Sequence, residues 1–324
     1  MRVMLIPRCG GPREMVPGDV PDPVPADDQV LLAVYAAGVN RADALQRAGH
    51  YPPPPGAPPW PGLEVAGIVT QAHPSAPWAV GDRVCALLDG GGYAERVVVR
   101  SGQVMPAPAG VDLIDAAALP EAVCTVWSSL VDQAGLRPGE TLLVHGGSGG
   151  IGTTAIQLGV ALGARVVATA GGPERAARCA ALGAERAVDH RSEDFVEAVR
   201  DVTDGRGADV VLDVVGGAYL GRNVEALATG GRLVVIGLQR GRRGELDLGA
   251  LMARRASVHA ATLRARPYED KAALVADVVR HVWPMVADGR VRPVVAERMP
   301  LEEAPRAHEL LEAGQVFGKL LLVP

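Results

Sequence analysis

The chain has few of the residues that would mark a disulfide framework or a nucleic-acid surface. Its 324 residues include four cysteines, at 9, 85, 124 and 179, with no paired spacing. That argues against a cystine scaffold and for a reduced, cytoplasmic protein. Lysine occurs only at 271 and 319, so nearly all positive charge is arginine, which by itself reads as genome bias. The net charge is −5, and the one dense basic run, Arg240–Arg243, reads as a surface loop. A nucleic-acid partner is therefore not expected. The opening run Met1-Arg-Val-Met-Leu-Ile-Pro7 is too short for a signal peptide, and no stretch is expected to cross a bilayer.

Apolar residues make up 48% and charged residues 21%, an ordinary globular balance in a chain long enough for two domains. The chain is organised around Thr141–Leu162. An apolar run, Thr141-Leu-Leu-Val-His145, passes into Gly146-Gly-Ser-Gly-Gly-Ile-Gly152 and then into apolar residues at helical spacing. Strand, glycine turn and helix form the grammar of a phosphate-binding βα unit. Glycines at 146, 149 and 152 allow a sharp turn, a close approach of anion to backbone, and tight packing of helix on sheet. Gly146-Gly-Ser148-Gly-Gly150 also fits G-x-S-x-G, the nucleophile elbow of hydrolases. The residues beyond Leu162 favour the dinucleotide reading. Strands are expected at 165–170, 186–189, 210–213 and 231–236, alternating with helices, and Ser257–Ala261 is a sixth strand. A hydrolase would also need an acid and a histidine after later strands.

Residues 1 to about 118 differ. Short strands at 30–37, 65–69, 83–88 and 94–99 are separated by glycine and proline turns, with one helical pattern at 41–48. Gly49-His-Tyr-Pro-Pro-Pro-Pro-Gly56 starts a stiff, donor-poor loop that runs to Pro61. A helix is expected from Pro120 to Leu130, a long helix from 268 to 287, and a final strand at 318–323 that returns to the first domain.

With these phrases the chain resembles the medium-chain dehydrogenase/reductase superfamily, within it the zinc-independent quinone oxidoreductases, and most closely the p53-inducible quinone oxidoreductase group. Gly38-Val-Asn-Arg-Ala-Asp43, Gly49–Gly56, Gly62-Leu-Glu-Val-Ala-Gly67, Gly81-Asp-Arg-Val84, Gly90-Gly-Gly-Tyr-Ala-Glu95, Pro120-Glu-Ala122 with Thr125, the glycine turn and Gly318-Lys319 carry the match over nearly the full length. The resemblance implies an α/β fold: a GroES-like β-barrel catalytic domain, 1–118 plus 265–324, with an inserted Rossmann domain, a doubly wound parallel sheet, at 119–264. Zinc-using cousins carry Cys where this chain has Asn40 and His where it has Leu63. They also carry a four-cysteine lobe, whereas no cysteine lies between 85 and 124 here. No metal is expected.

The cofactor implied is NADPH. The second strand of the dinucleotide unit ends Ala168-Thr-Ala-Gly-Gly172 with no acid, and Pro173-Glu174-Arg175 follows. Arg175 stands where the family carries a lysine for the 2′-phosphate, and His190 stands where it often has tyrosine. By resemblance, Gly146, Gly149, Gly150, Ile151 and Gly152 hold the pyrophosphate, with Gly171, Gly172, Arg175 and His190 around the adenosine phosphate. Asn40, Thr125, Val215, Ile236, Gly237, Leu238, Phe317, Gly318 and Lys319 complete the expected cofactor set, with the nicotinamide in a cleft between domains. Asn40 and Tyr51 are the expected donors to a quinone or enone oxygen, and Asp43 orders Asn40, Arg41 or the cofactor. The plain alternatives are an N-cap for Asn40, a first-turn charge for Asp43 and a packing ring for Tyr51. The function implied is zinc-independent, NADPH-dependent quinone reduction. A 2-enal or enoyl-thioester reductase, or an NADPH-binding protein with little turnover, remain as alternatives. A homodimer is expected through the sixth strand, with no membrane partner.

Overall fold

The computed structural model describes residues 1–324 and divides them into two units. The first comprises Met1–Cys124, Leu263–Gly289 and Pro293–Pro324; the second comprises Thr125–Thr262 with Arg290–Arg292. The breaks fall at 124/125 and 262/263, where the sequence reading has 118/119 and 264/265. The physical reason at the first break is a helix, Pro120–Trp127, that runs through it and leaves no linker for a composition shift to mark.

The first unit is built on a seven-stranded sheet. Along its main path run Val295–Pro300, Lys319–Val323, Gln29–Gly38, Glu64–Ala72, Arg83–Leu87 and Val104–Pro106, with Arg96–Arg100 also pairing with Gln29–Gly38. The Gln29–Gly38 strand is the hub, because its alternating apolar side chains (Val30, Leu32, Val34) enter a core with Val65, Val84, Val97 and Leu322. The chain's last strand returns here as expected, pairing Leu321 with Gly38 and Leu322 with Ala37. Proline residues cannot donate, so the 51–61 loop is held by donors from elsewhere. Gln46 Nε2 donates to the Pro59 carbonyl at 3.0 Å, and within the loop Trp60 Nε1 donates to the Gly91 carbonyl at 3.0 Å.

The second unit is a six-stranded, wholly parallel sheet. Its order in space is Arg186–Asp189, Arg165–Ala170, Thr141–Val144, Ala208–Asp213, Leu227–Val235 and Ser257–Ala260. Numbered from the glycine-turn strand, that is the 3-2-1-4-5-6 order of dinucleotide-binding sheets, with its reversal between Thr141–Val144 and Ala208–Asp213. Leu142, Leu143, Val144, Val210, Val211 and Leu212 are fully buried, as strands covered on both faces must be.

Two expectations change. The long helix is two, Tyr268–His281 and Trp283–Ala287, broken at Val282 before Pro284. One helical stretch, Leu113–Gln133, does have the length and apolar composition to cross a bilayer, contrary to the expectation of none. Buried over 72% of its most apolar window, it is packed as a core helix is.

Candidate active site

In the first unit the helix Arg41–Arg47 presents the expected site residues. Asp43 sits in its first turn and reaches back: Oδ2 accepts from the Asn40 backbone N–H at 2.8 Å, half of a capping box. Its Oδ1 accepts from Gly62 N–H at 2.8 Å, and the Tyr93 hydroxyl donates to Oδ2 at 3.3 Å. Asp43 is fully buried, and burial raises its carboxyl to about 6 against the lowering effect of these N–H bonds. It orders the turn, and nothing in this geometry sets it against a substrate.

The side chain of Asn40 is committed. Nδ2 donates to Glu64 Oε1 at 2.8 Å, and Oδ1 accepts from Lys319 Nζ at 2.6 Å. Lys319 also pairs with Glu64, whose Oε2 accepts from Glu121 N–H at 2.9 Å. Asn40 and Lys319 are 8% and 5% exposed and Glu64 is fully buried. Gly38 has no side chain because a Cβ there would meet the Glu64 carboxylate, closer than any real contact allows. Both polar ends of Asn40 thus bond within the protein, with Nδ2 also 3.5 Å from the Gly38 carbonyl, which fixes the side chain in place. Two of the three ammonium donors of Lys319 are spent in the same triad.

A second network, not found by sequence reasoning, continues from Asp43. The Tyr93 oxygen lies 3.1 Å from His308 Nε2, and His308 Nδ1 lies 3.3 Å from Arg47 Nη1. Arg47 is tied to Glu312 at 2.6 Å and to the Gly10 carbonyl at 3.0 Å. His308 is fully buried, and burial lowers its imidazole to about 3. Neutral, it accepts from Arg47 and donates to Tyr93, a tautomer set by those partners.

Tyr51 is half-buried at the start of the proline loop. The guanidinium of Arg264 lies 5.3 Å from its ring centre and reaches its carbonyl at 3.5 Å. Phe317 and Gly318 belong to this unit too. Gly318 takes φ +92°, and a Cβ would meet the Val294 carbonyl at 2.1 Å.

In the second unit the glycine turn closes as a phosphate cradle. Gly146 has φ +69°, and a Cβ on Gly152 would lie 2.1 Å from the Gly146 carbonyl, so helix and turn touch backbone to backbone. The twelve-residue helix Gly150–Ala161 follows, with no acidic residue in its first turn to compete with an anion. The turn is anchored by His145, another residue the sequence reading passed over. His145 Nε2 lies 2.8 Å from Asn223 Oδ1, and Nδ1 lies 3.1 Å from the Thr169 hydroxyl, which accepts from Gly146 N–H at 3.3 Å. Burial holds His145 down at about 4, so it is neutral at pH 7.

Gly171 and Gly172 lie at the end of the neighbouring strand. Gly172 has φ +97°, and its N–H donates to Asp189 Oδ1 at 2.8 Å. A Cβ on Gly171 would come 3.3 Å from His190 Nε2 and 3.4 Å from Arg191 Nε. The structure thus brings His190 to the expected place and adds Arg191, which the sequence phrase Asp189-His-Arg191 contained but did not single out. Arg175 is half-exposed in the first turn of the adjoining helix Pro173–Ala181.

Across the sheet's reversal, Asp213 Oδ1 accepts from Val215 N–H at 2.7 Å and Oδ2 from Gly216 N–H at 3.1 Å. Arg240 N–H donates to the Val215 carbonyl at 2.8 Å, which holds Val215 beside the segment of Ile236, Gly237 and Leu238. The Thr125 carbonyl accepts from Ser128 and Ser129 at the head of this unit.

The class is defined by these two units. A model described as "Alcohol dehydrogenase GroES-like domain" matches residues 26–109, and one described as "Zinc-binding dehydrogenase" matches 182–322. The chain belongs to the medium-chain dehydrogenase/reductase superfamily. Within it, the chain is a homologue of the quinone oxidoreductases. That of Rattus norvegicus is 30% identical over 332 residues, covering 100% of this chain and 98% of the relative. The structure of Escherichia coli quinone oxidoreductase complexed with NADPH is 29% identical with a TM-score of 0.90, covering 100% of each chain. The structure of an NAD-dependent alcohol dehydrogenase is 32% identical with a TM-score of 0.89, again over 100% of each.

The zinc in that family description does not fit the residues present. No group of three or more His, Cys, Asp or Glu is placed to hold a metal. Beside Asn40, where the zinc-using cousins carry a thiolate, the Lys319 ammonium already balances Glu64 and would repel a second cation. A nicotinamide dinucleotide does fit the glycine cradle. The adenosine phosphate would meet Gly171, Gly172 and their two basic neighbours, and the bound nicotinamide would supply hydride.

Proposed function

We propose that the protein is an NADPH-dependent, zinc-independent quinone reductase. The observation that carries the cofactor half is the cluster of His190 and Arg191 against Gly171–Gly172, with Asp189 turned inward onto Gly172 and Arg191 N–H groups and Arg175 next to the exposed Glu174 in the following helix. A dianionic 2′-phosphate suits that charge, whereas a bare ribose would leave it unpaired. The quinone half is supported by the full-length homology and by the absence of a metal-fit site, which leaves hydrogen bonds to stabilise a reduced oxygen. Tyr51 is the proposed phenolic donor. Asn40 and Asp43 hold the turn that precedes it.

The deciding experiment is NADPH oxidation against a panel of ortho- and para-quinones, 2-enals and an enoyl thioester, repeated with NADH and with a chelator present. Turnover fastest with quinones and NADPH, unaffected by chelator, is expected. Preference for the thioester would move the assignment to an enoyl reductase, and binding without turnover would make the chain a cofactor-binding protein.

The proposed assembly is a homodimer. Ser257–Ala260 ends the parallel sheet, with Val258 37% exposed, and Leu248 and Met252 of the preceding helix are 64% and 76% exposed. Pairing this edge with its two-fold mate would cover it. A monomeric mass at micromolar concentration would count against the dimer.

A further inference from the structure

Arg264 carries an unused donor. It lies in the turn after Leu263 and is 7% exposed. Nε donates to the Asp89 carbonyl at 2.7 Å and Nη1 reaches the Tyr51 carbonyl at 3.5 Å, while Nη2 is buried with no partner. A guanidinium has five N–H donors, and a buried donor on a charged group is costly to leave unmade. Buried groups of that kind are rare enough in folded proteins to call for a reason.

The surroundings hold this side chain in place and give its Nη2 nothing to bond. Lys271 Nζ donates to the Arg264 carbonyl at 3.4 Å and pairs with Asp89, so one of the chain's two lysines ties the Arg264 turn to the loop at Asp89. A Cβ at Gly90 would come 3.2 Å from Nη2, so the nitrogen sits against backbone that a side chain would crowd. The Asp43 carboxylate, whose charge Arg264 feels, has both oxygens taken by Asn40 N–H, Gly62 N–H and the Tyr93 hydroxyl. Nothing within the protein answers Nη2. The unpaired donor is positive, desolvated and beside Tyr51.

We propose that Arg264 Nη2 receives the carbonyl oxygen of the substrate, making Arg264 a catalytic residue next to Tyr51. This rests on the reductase reading above. A bound dihydronicotinamide would supply the hydride, its C4–H bond breaking as the substrate gains the hydrogen and the oxidised nicotinamide remaining. The substrate's carbonyl π pair would move to oxygen as a phenolate or enolate, which Arg264 stabilises until water protonates it. A guanidinium suits that oxygen better than a neutral amide, because the charge it meets is a full one.

The test uses the full-length protein and the variants Arg264→Gln and Arg264→Lys, read by kcat with a quinone, by the Kd for NADPH and by thermal unfolding. The Gln variant should lose roughly 100- to 1,000-fold in kcat with the Kd for NADPH unchanged, as for removal of an oxyanion donor. Added guanidinium should restore part of that rate. An unchanged kcat in both variants would overturn the proposal. So would a loss of NADPH affinity in step with kcat, or failure of both variants to fold, which would make Arg264 a cofactor contact or a structural strut. Binding of para-nitrophenolate, followed by its absorbance, separates this proposal from the reductase reading. Wild type should bind the anion more tightly than Arg264→Gln even if no quinone is turned over, and equal binding would sink the role of Arg264 alone.

Discussion

Lys319 Nζ donates to Asn40 Oδ1 at 2.6 Å and pairs with the fully buried Glu64, joining the last strand of the chain to the strand Glu64–Ala72 and to the cap of the helix Arg41–Arg47. Both lysines of this protein are buried against carboxylates, Lys271 at 4% exposure and Lys319 at 5%. Composition alone makes the scarcity of lysine look like genome bias, yet the two present occupy internal positions where a compact point charge is held between oxygens.

That triad makes a stability prediction. Removing one member of a buried pair leaves an uncompensated charge, at a cost of about 3–5 kcal/mol. Lys319→Met and Glu64→Gln should each cost about that much in urea unfolding. The double variant should lose clearly less than the sum, because neither charge is then stranded. Additive losses would show that the two residues act independently and that the pairing is not what holds them.

The cofactor cluster predicts a selective loss. A charge-assisted phosphate contact is worth about 1.5–3 kcal/mol, or roughly ten- to a hundredfold in affinity. Arg191→Ala and Arg175→Ala should each weaken NADPH by about that factor and leave NADH nearly unchanged. Arg191 should give the larger effect, since its guanidinium already lies against Gly171. If either variant weakens both cofactors equally, that arginine serves the pyrophosphate or the fold, and a preference for NADH in the wild type would favour the NAD-dependent relative as the better guide.

His308 predicts a pH dependence. Its folded value of about 3 lies below the ordinary histidine value, so between the two the unfolded chain binds the extra proton and the folded chain does not. Stability from this residue is complete above about 6.5 and is lost as pH falls towards 3. Asp43 and Asp213, raised to about 6 by burial, act in the opposite sense over the same interval, so the whole-protein slope is a balance. The comparison with His308→Gln isolates the imidazole. The stability gap between wild type and variant should shrink by about 2 kcal/mol from about pH 6.5 to 4.5. A gap that stays constant would mean His308 is not held neutral.

How much of the fold and site is legible in the sequence depends on what kind of signal each residue gives. Val210-Val-Leu212 and Leu142-Leu-Val144 read as strands because both faces of a parallel sheet are covered and the apolar run is unbroken. The glycine turn and the strand end without an acid, Ala168–Gly172, are equally readable, since backbone geometry and charge leave residue-level marks. His308, Tyr93 and Arg47 are not, because no periodicity links polar residues as far apart as Arg47 and His308, 261 positions along the chain. Arg264 is hidden by a boundary: two residues decide whether it belongs to the dinucleotide unit or, as the structure has it, to the unit that carries Tyr51. Asn40 stands out for its position, but its partner Lys319, 279 residues away, leaves no mark beside it in the sequence.

The last prediction separates donation from packing at Tyr51. Tyr51→Phe keeps the ring beside the Arg264 guanidinium and deletes only the hydroxyl. If the phenol donates to the reduced oxygen, kcat with a quinone should fall by an amount set by a lost donor, about 2.7–4 kcal/mol in a dry site and less in a wet one. The Kd for NADPH should not move. Because Arg264 and Tyr51 are proposed to meet the same oxygen, the double variant Tyr51→Phe with Arg264→Gln should cost less than the two single losses together. A silent Tyr51→Phe alongside a Tyr51→Ala that raises only KM would make the ring a wall of the site, leaving Arg264 as the sole donor. Loss of NADPH affinity in both Tyr51 variants would place the residue against the cofactor instead, and the substrate would then have to be sought elsewhere on the first unit.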